Sequence, residues 1–349
     1  MNTHEVCIFA VGAQTALGRS APACAAAVRA GITRAQEHPT WQDADAEPVV
    51  VHRARWLDLA LSGAPRLLAL AIDAALEALP ERLPAPLGVY VGMPELRPGL
   101  TPALLEAFQG GLHEALSARG ELLHVTLLPT GHASGVAGLE QARRSLSQGQ
   151  ETLALVGGVD SYLHPETLRW LDEQQQLHSL ENAWGMSPGE GAGFCLLAQQ
   201  GQERLLQHPP LARLRTVSLS QEPHPLKSRA VCTGDGLTRA FHAALENLRG
   251  EKIDQLLLDL NGEIYRSEEL GFASVRTQEH FVALDELLTP AQSWGDVGAA
   301  SAPLFVSLAV QAAQRGWSRG PRWLISTSSE GGLRGVVLLE LETPNRLRT

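Results

Sequence analysis

Two hydrophobic patterns take turns along this chain. Short continuous apolar runs, which suit strands covered on both faces, alternate with stretches whose apolar positions recur at helical spacing. "EVCIFAVGA" predicts a first strand, followed by a turn at Gly12 and Gly18 and an alanine-rich helix, "APACAAAVRAG", that stops on Gly31. Residues 35–55 are polar and proline-bearing and predict loop. "PRLLALAIDAALEALP" predicts a helix and "PLGVYVGM" a strand. A further strand, "ELLHVTLL", turns sharply through "PTGHASGVAG" into the helix "VAGLEQARRSLSQG", which leads to the strand "ETLALVGGVDSYL". "GMSPGEGAGFCLLAQ" is a glycine-dense turn feeding another strand, and residues 201–228, rich in proline, predict a crossover. Beyond it come the helix "GLTRAFHAALENL", the strand "IDQLLLDLNG" and a helix near 266–283. The loop "PAQSWGDVGAAS", the helix "LFVSLAVQAAQRG" and the strands "RWLISTSS" and "VVLLELE", joined by "SEGGLRG", complete the chain.

Helices alternating with buried strands predict α/β layering with largely parallel sheets. The halves also echo each other. Each closes with a glycine-rich turn entering a final strand, "GEGAGFCLLA" in one and "EGGLRGVVLLE" in the other, and each has a strand, a glycine turn and a long helix before it. This repetition predicts two similar layered units.

Composition narrows the function classes. A chain of 349 residues, 44% hydrophobic, can bury one large core or two fused ones. A formal charge of −10 argues against a nucleic-acid partner, and the basic pairs Arg143-Arg144 and Arg53/Arg55 read as solvated faces. No apolar run approaches the roughly 18 to 20 residues of a membrane span, and "MNTHEVCIFAVG" lacks the features of a signal peptide, so a cytoplasmic protein without membrane contact is expected. Cys7, Cys24, Cys195 and Cys232 show no ligand spacing, so no zinc site and no disulfide framework is indicated. The glycines at 157, 158, 189, 191, 193, 331 and 332 form no phosphate loop and are read as tight turns and close strand packing.

The chemistry concentrates in "PTGHASGVAG". A strand-to-helix turn can mount a nucleophile, because the helix start offers unpaired N–H groups and partial positive charge. The tip of this turn, expected to be exposed, carries His132.

Residues 134–163, "SGVAGLEQARRSLSQGQETLALVGGVDSYL", resemble the nucleophile helix and following strand of the thiolase-fold condensing enzymes, specifically the β-ketoacyl synthases. "GMSPGEGAGFCLL", residues 185–197, is similar to that family's "GEGAG" segment, and weaker likenesses cover most of the chain. The resemblance implies a thiolase-like, five-layered αβαβα fold built from two pseudo-repeated halves, residues 1–205 and 206–349. It also implies dimerisation through the strand before the nucleophile turn, here "HVTLL", residues 124–128.

The departures from the family pattern bear on function. Gly131-His132 stands where the family has Ala-Cys, so His132 occupies the nucleophile position. Asn261 replaces the first family histidine, and "GDVGAAS" sets Asp296, or Gly295 in the other register, at the second site. Condensation needs a thiolate to carry the acyl chain and two donors to stabilise an enolate. A histidine cannot hold a durable thioester, and an ionised Asp296 would repel the enolate. No catalytic residue is therefore expected at the degenerate positions His132, Asn261 and Asp296, and no cofactor or metal. The expected role is that of an adaptor, chaperone or partner subunit, for example in a secretion or effector-loading system. The alternatives are a subunit resembling a chain-length factor, or an enzyme of altered acyl-thioester chemistry such as an acyltransferase. The expected partners are a second copy or an active ketosynthase-like subunit, with acyl carrier protein or a secreted client as further candidates. The rings of His132, Trp294 and Trp184 are expected to fill the old acyl site.

Overall fold

In the computed structural model, residues 5–342 are described, apart from residues 226, 227, 229, 247, 249 and 285. The predicted crossover and the helix read at "GLTRAFHAALENL" each include residues that lie outside the described ones. The first half runs β1 (Val6–Thr15), α1 (Ala21–Arg29), β2 (Gln36–Gln42), β3 (Pro48–Val51), α2 (Gly63–Glu77), β4 (Leu87–Met93), α3 (Pro102–Ser117) and β5 (Leu122–Pro129). It continues through a 3-10 turn (Gly131–Ala133) to α4 (Ser134–Ser147), β6 (Leu153–Ser161), α5 (Pro165–Glu173), β7 (Glu190–Gln199) and α6 (Glu203–Leu206). The second half runs β8 (Ala212–Gln221), α7 (Asp235–Leu245), β9 (Gln255–Leu258), α8 (Ile264–Thr277) and α9 (Ala291–Trp294). A 3-10 turn (Gly298–Ala300) then opens α10 (Ser301–Gln314), followed by β10 (Arg322–Ser328) and β11 (Leu333–Leu341).

Among the described residues the main strands join in the order β5-β4-β6-β7-β1-β8-β11-β10-β9. In the first half β1, β7, β6 and β4 follow one another antiparallel, antiparallel and parallel, and β8, β11, β10 and β9 repeat those directions in the second. β1 meets β8 at two residue pairs, Cys7 with Arg213 and Ile8 with Ala212. Three apolar clusters separate the layers. One lies between α2, α3 and the first half's strands, with Phe9, Leu70, Phe108 and Phe194 at its centre. A second lies between α7, α8 and the second half's strands, around Phe241, Leu256 and Leu324. The third surrounds α4 and α10, which are sandwiched between strands of both halves. Helix, sheet, paired helices, sheet and helix make five layers. No helix among the described residues is long and apolar enough to cross a membrane.

Three sequence expectations need correction. The sheets are mixed, not largely parallel: helices cover the strands on both faces, which makes them apolar throughout whatever their direction. The predicted loop at 35–55 contains the small hairpin of β2 and β3. The predicted crossover at 201–228 contains the ten-residue strand β8, whose half-buried pattern interleaves Arg, Thr and Ser with apolar positions.

The turn that positions the site is held by close backbone approaches. A Cβ on Gly158 would overlap the carbonyl of Ala299, so only glycine lets β6 abut the second 3-10 turn. Glu190, the acid of "GEGAG", is fully buried and fully used. It accepts two bonds from Arg66, at 2.6 and 2.7 Å, and one each from the Ala54 N–H and the Ser161 hydroxyl.

Candidate functional site

The two 3-10 turns face each other at the centre of the molecule, each leading into one of the paired helices. Each borrows a cap from the end of a strand in the other half. The Ala133 N–H donates to Ser329 Oγ at 2.9 Å, and the Ala299 N–H donates to Asp160 Oδ2 at 3.0 Å. The first turn presents His132, which is 4% exposed and not, as expected, on an open tip. The reason is tertiary: the second half closes over the turn, and the loop after α9 carries Asp296 onto the imidazole.

His132, Asn261 and Asp296 lie together. His132 Nε2 donates to Asp296, at 2.9 Å from Oδ1 and 3.1 Å from Oδ2, and Asn261 Nδ2 donates to Oδ2 at 2.6 Å. Asp296 also accepts the Gly298 N–H at 2.7 Å. Of the two register alternatives, it is Asp296 that reaches His132; Gly295 packs against His52.

The electrostatics favour a fixed ion pair. Burial alone would push the Asp296 carboxyl up, but His132, Arg266 and the Asn261 amide outweigh it and hold the group well below the usual carboxylate range. Burial likewise opposes charge on His132, yet Asp296 overcomes both burial and Arg266 and raises the imidazole above its ordinary value. With Nε2 donating to Asp296, Arg266 Nη2, 3.3 Å away, is a charged neighbour and not a donor to that nitrogen. Arg266 is itself bound by Asp259 at 2.9 Å, by Glu263 at 3.1 Å and by the Ser328 carbonyl.

A cavity of about 290 Å³ opens beside His132. Its walls include Glu95, Arg97, Asp160, Tyr162 and Glu330. Arg97 donates to Asp160 at 2.6 Å, and its guanidinium lies 4.1 Å from the Tyr162 ring centre. Trp294 is buried and stacked with Phe305, whereas Trp184 is 64% exposed and fills nothing. That part of the expected blockage is corrected: Trp184 lies on the polar loop before "GMSPGEGAG" and points outward.

Sequence reasoning missed Arg266, Arg97 and Asp160. No sequence pattern marks Arg266. Asp160 was legible in principle, as an acid inside the otherwise apolar strand "LALVGGVDS".

No thiol serves this cavity among the described residues. Burial pushes the Cys7 and Cys195 thiols up to about 12 and the Cys24 thiol up to about 11, and Cys232 lies outside the cavity wall. His132 has no hydroxyl or thiol partner either, its bonds going to Asp296.

Comparison with known proteins agrees with this architecture. Residues 114–202 match the β-ketoacyl synthase N-terminal domain. Two polyketide synthases of Streptomyces halstedii are similar: GfsA is 31% identical over 127 residues, and GfsB is 30% identical over 140 residues. These stretches are 34% and 38% of this chain, which spans 2% of the length of either relative. The ishigamide ketosynthase/chain length factor superposes with a TM-score of 0.72 at 22% identity, covering 97% of this chain and 99% of the other. A type II polyketide synthase acyl-carrier protein in complex with its ketosynthase bound to the hexaketide gives 0.80 at 13%, with coverage of 97% and 99%. The module 6 ketosynthase of the bacillaene synthase from Bacillus subtilis 168 gives 0.76 at 16%, covering 97% of this chain and 72% of that one. This chain therefore has the thiolase-like fold of the ketosynthases, and its residues 114–202 are similar to the β-ketoacyl synthase N-terminal domain.

Proposed function

We propose that this protein is a ketosynthase-like subunit that performs no condensation and acts through a ketosynthase-fold partner. The observation that carries the reading is the His132–Asp296 ion pair at the position where the resemblance places a cysteine. A protonated imidazole has no lone pair at Nε2 with which to attack a thioester. The groups that would stabilise an enolate are committed as well: the imidazolium and the Asn261 amide both donate to Asp296, and a carboxylate there repels an oxyanion. A triad-like hydrolase is disfavoured because His132 lacks a nucleophile beside it.

The partner is argued from the sheet. β5 is an edge strand, hydrogen-bonded to β4 on one side, with Leu123 46% exposed and Thr126, Leu127 and Leu128 half-buried. An edge of this kind invites pairing with another chain. A second ketosynthase-like subunit fits it, as the pairing of a ketosynthase with a chain length factor suggests by analogy.

A chain-length role is the second reading, and that structural likeness favours it. Against it stands the presence of Glu95, Arg97 and Asp160 among the cavity walls beside the apolar Pro94, Leu96 and Trp170, since an acyl chain gains its binding energy from apolar contact, about 0.8 kcal/mol per buried methylene. The decisive experiment offers the protein a long-chain acyl thioester analogue and follows the complex by native mass spectrometry. Adaptor or scaffold action predicts no stoichiometric adduct while the complex with a co-expressed ketosynthase persists. Stoichiometric binding at the His132 cavity would establish the chain-length role instead, and ketoacyl product from the protein alone would sink both.

A further inference from the structure

Outside the His132 cavity, three metal-ligating side chains converge. One carboxylate oxygen each of Glu222 and Glu269, and Cys232 Sγ, all lie within 4.8 Å of one another. Both glutamates are 1% exposed, and Cys232, unlike the other three cysteines, is not buried. Glu222, just past β8, accepts the Gly236 N–H at 2.7 Å and the His224 N–H at 3.2 Å. Glu269, on α8, accepts from Arg334 Nε at 2.6 Å through Oε1. Its Oε2 is buried with no hydrogen-bond partner among the described residues.

A buried carboxylate oxygen without a partner is costly, and here a second carboxylate lies beside it. Arg334 offsets one of the two charges, and the start of α7 contributes partial positive charge to the other through the Gly236 N–H. A thiolate would add a third negative charge, which a divalent cation among these groups would offset. The backbone is shaped to bring these groups together. Gly234 has φ +67° and a Cβ there would sit 2.7 Å from the Glu269 carbonyl, while one on Gly236 would sit 2.7 Å from the Glu222 backbone. This accounts for "CTGDG", a motif that the ketosynthase-like site leaves unused.

We propose that Glu222, Cys232 and Glu269 form a divalent-cation site of the zinc class, with water as the fourth ligand on the partly exposed cysteine side. A tetrahedral zinc with bonds of about 2.3 Å to sulfur and about 2.1 Å to oxygen sets ligand separations near 3.5 Å, so three groups within 4.8 Å of one another need to close by at most about 1.3 Å. Sulfur in the donor set selects zinc over the hard cations magnesium and calcium. Binding displaces the thiol proton and gives Glu269 Oε2 a partner.

The test uses untagged, metal-stripped protein titrated with zinc against a chromophoric chelator, and separately with cobalt(II) followed by absorbance. The expected result is one equivalent of metal, a thiolate-to-cobalt charge-transfer band, and loss of that band in Cys232→Ser with zinc affinity lowered at least about tenfold. Glu269→Gln should weaken binding similarly, with circular dichroism confirming that it folds. Cys232→Ser, at a partly exposed position, keeps the test valid if the buried Glu269 variant unfolds. No uptake at micromolar metal, uptake without the thiolate band, or unchanged binding in Cys232→Ser would each overturn the site.

Discussion

Asp296 accepts from His132, Asn261 and the Gly298 amide at once, so its charge is bound up with the local fold as much as with any chemistry. Asp296→Asn should cost about 3 to 5 kcal/mol in urea unfolding, since it leaves the buried His132 imidazolium without its counter-charge. The pair also sets a pH window. His132, raised in the folded state, contributes stability that is complete below its ordinary 6.5 and fades as pH rises through its higher folded value. Asp296, depressed, contributes above its ordinary 3.8 and fades as pH falls through its lower folded value. The pair therefore stabilises most between these two ordinary values, and His132→Gln should flatten the loss on the alkaline side. His52 works in the opposite sense. Burial pushes its imidazole down to about 4, so stability is lost as pH falls from 6.5 towards 4, by up to roughly 3 kcal/mol. Unfolding midpoints of His52→Gln measured across that range should lack this drop.

At the scale of elements, two features reward mutation. Arg66, on α2, neutralises the fully buried Glu190 at the start of β7 and so ties the outer helical layer to the sheet. Arg66→Met should destabilise the protein by about 3 to 5 kcal/mol, because the glutamate charge stays buried without its partner; chemical denaturation would measure it. The edge strand β5 makes a different prediction: Leu123→Lys should leave the fold and melting temperature almost unchanged while abolishing association, as read by light scattering. An unaltered oligomer would show that another surface forms the interface. The contrast between β5 and β8 shows how elements were legible. "LLHVTLLP" reads as a strand from its apolar run, whereas "ARLRTVSLSQ" lies among prolines and carries polar residues at half-buried positions, and only its pairing with β11 reveals it.

For the whole molecule the proposed role predicts silence in condensation. Purified protein supplied with acyl and malonyl carrier proteins should form no ketoacyl product above a blank. His132→Cys should not rescue it, because Asp296 and Asn261 would still lack the donor arrangement, and each missing donor typically costs about two to three orders of magnitude in rate. A His132→Cys variant that condensed efficiently would show that the histidine alone holds the activity back.

The alternation of apolar runs with helical spacing, the paired glycine-turn endings and the segment 134–163 determined the layered ketosynthase-like fold, because burial periodicity and tight turns are written locally. The resemblance of these segments to the β-ketoacyl synthases marked His132, Asn261 and Asp296. What they could not carry was strand direction, since a strand covered on both faces looks alike whether parallel or antiparallel. Nor could they show that His132 is buried in an ion pair, because Asp296 reaches it across 164 positions of sequence only when the two halves close on each other. Arg266 and Arg97, which no sequence pattern singles out, become part of the site for the same reason: the second half folds over the first, removes water from the turn, and leaves every charge there in need of a partner that only the tertiary structure supplies.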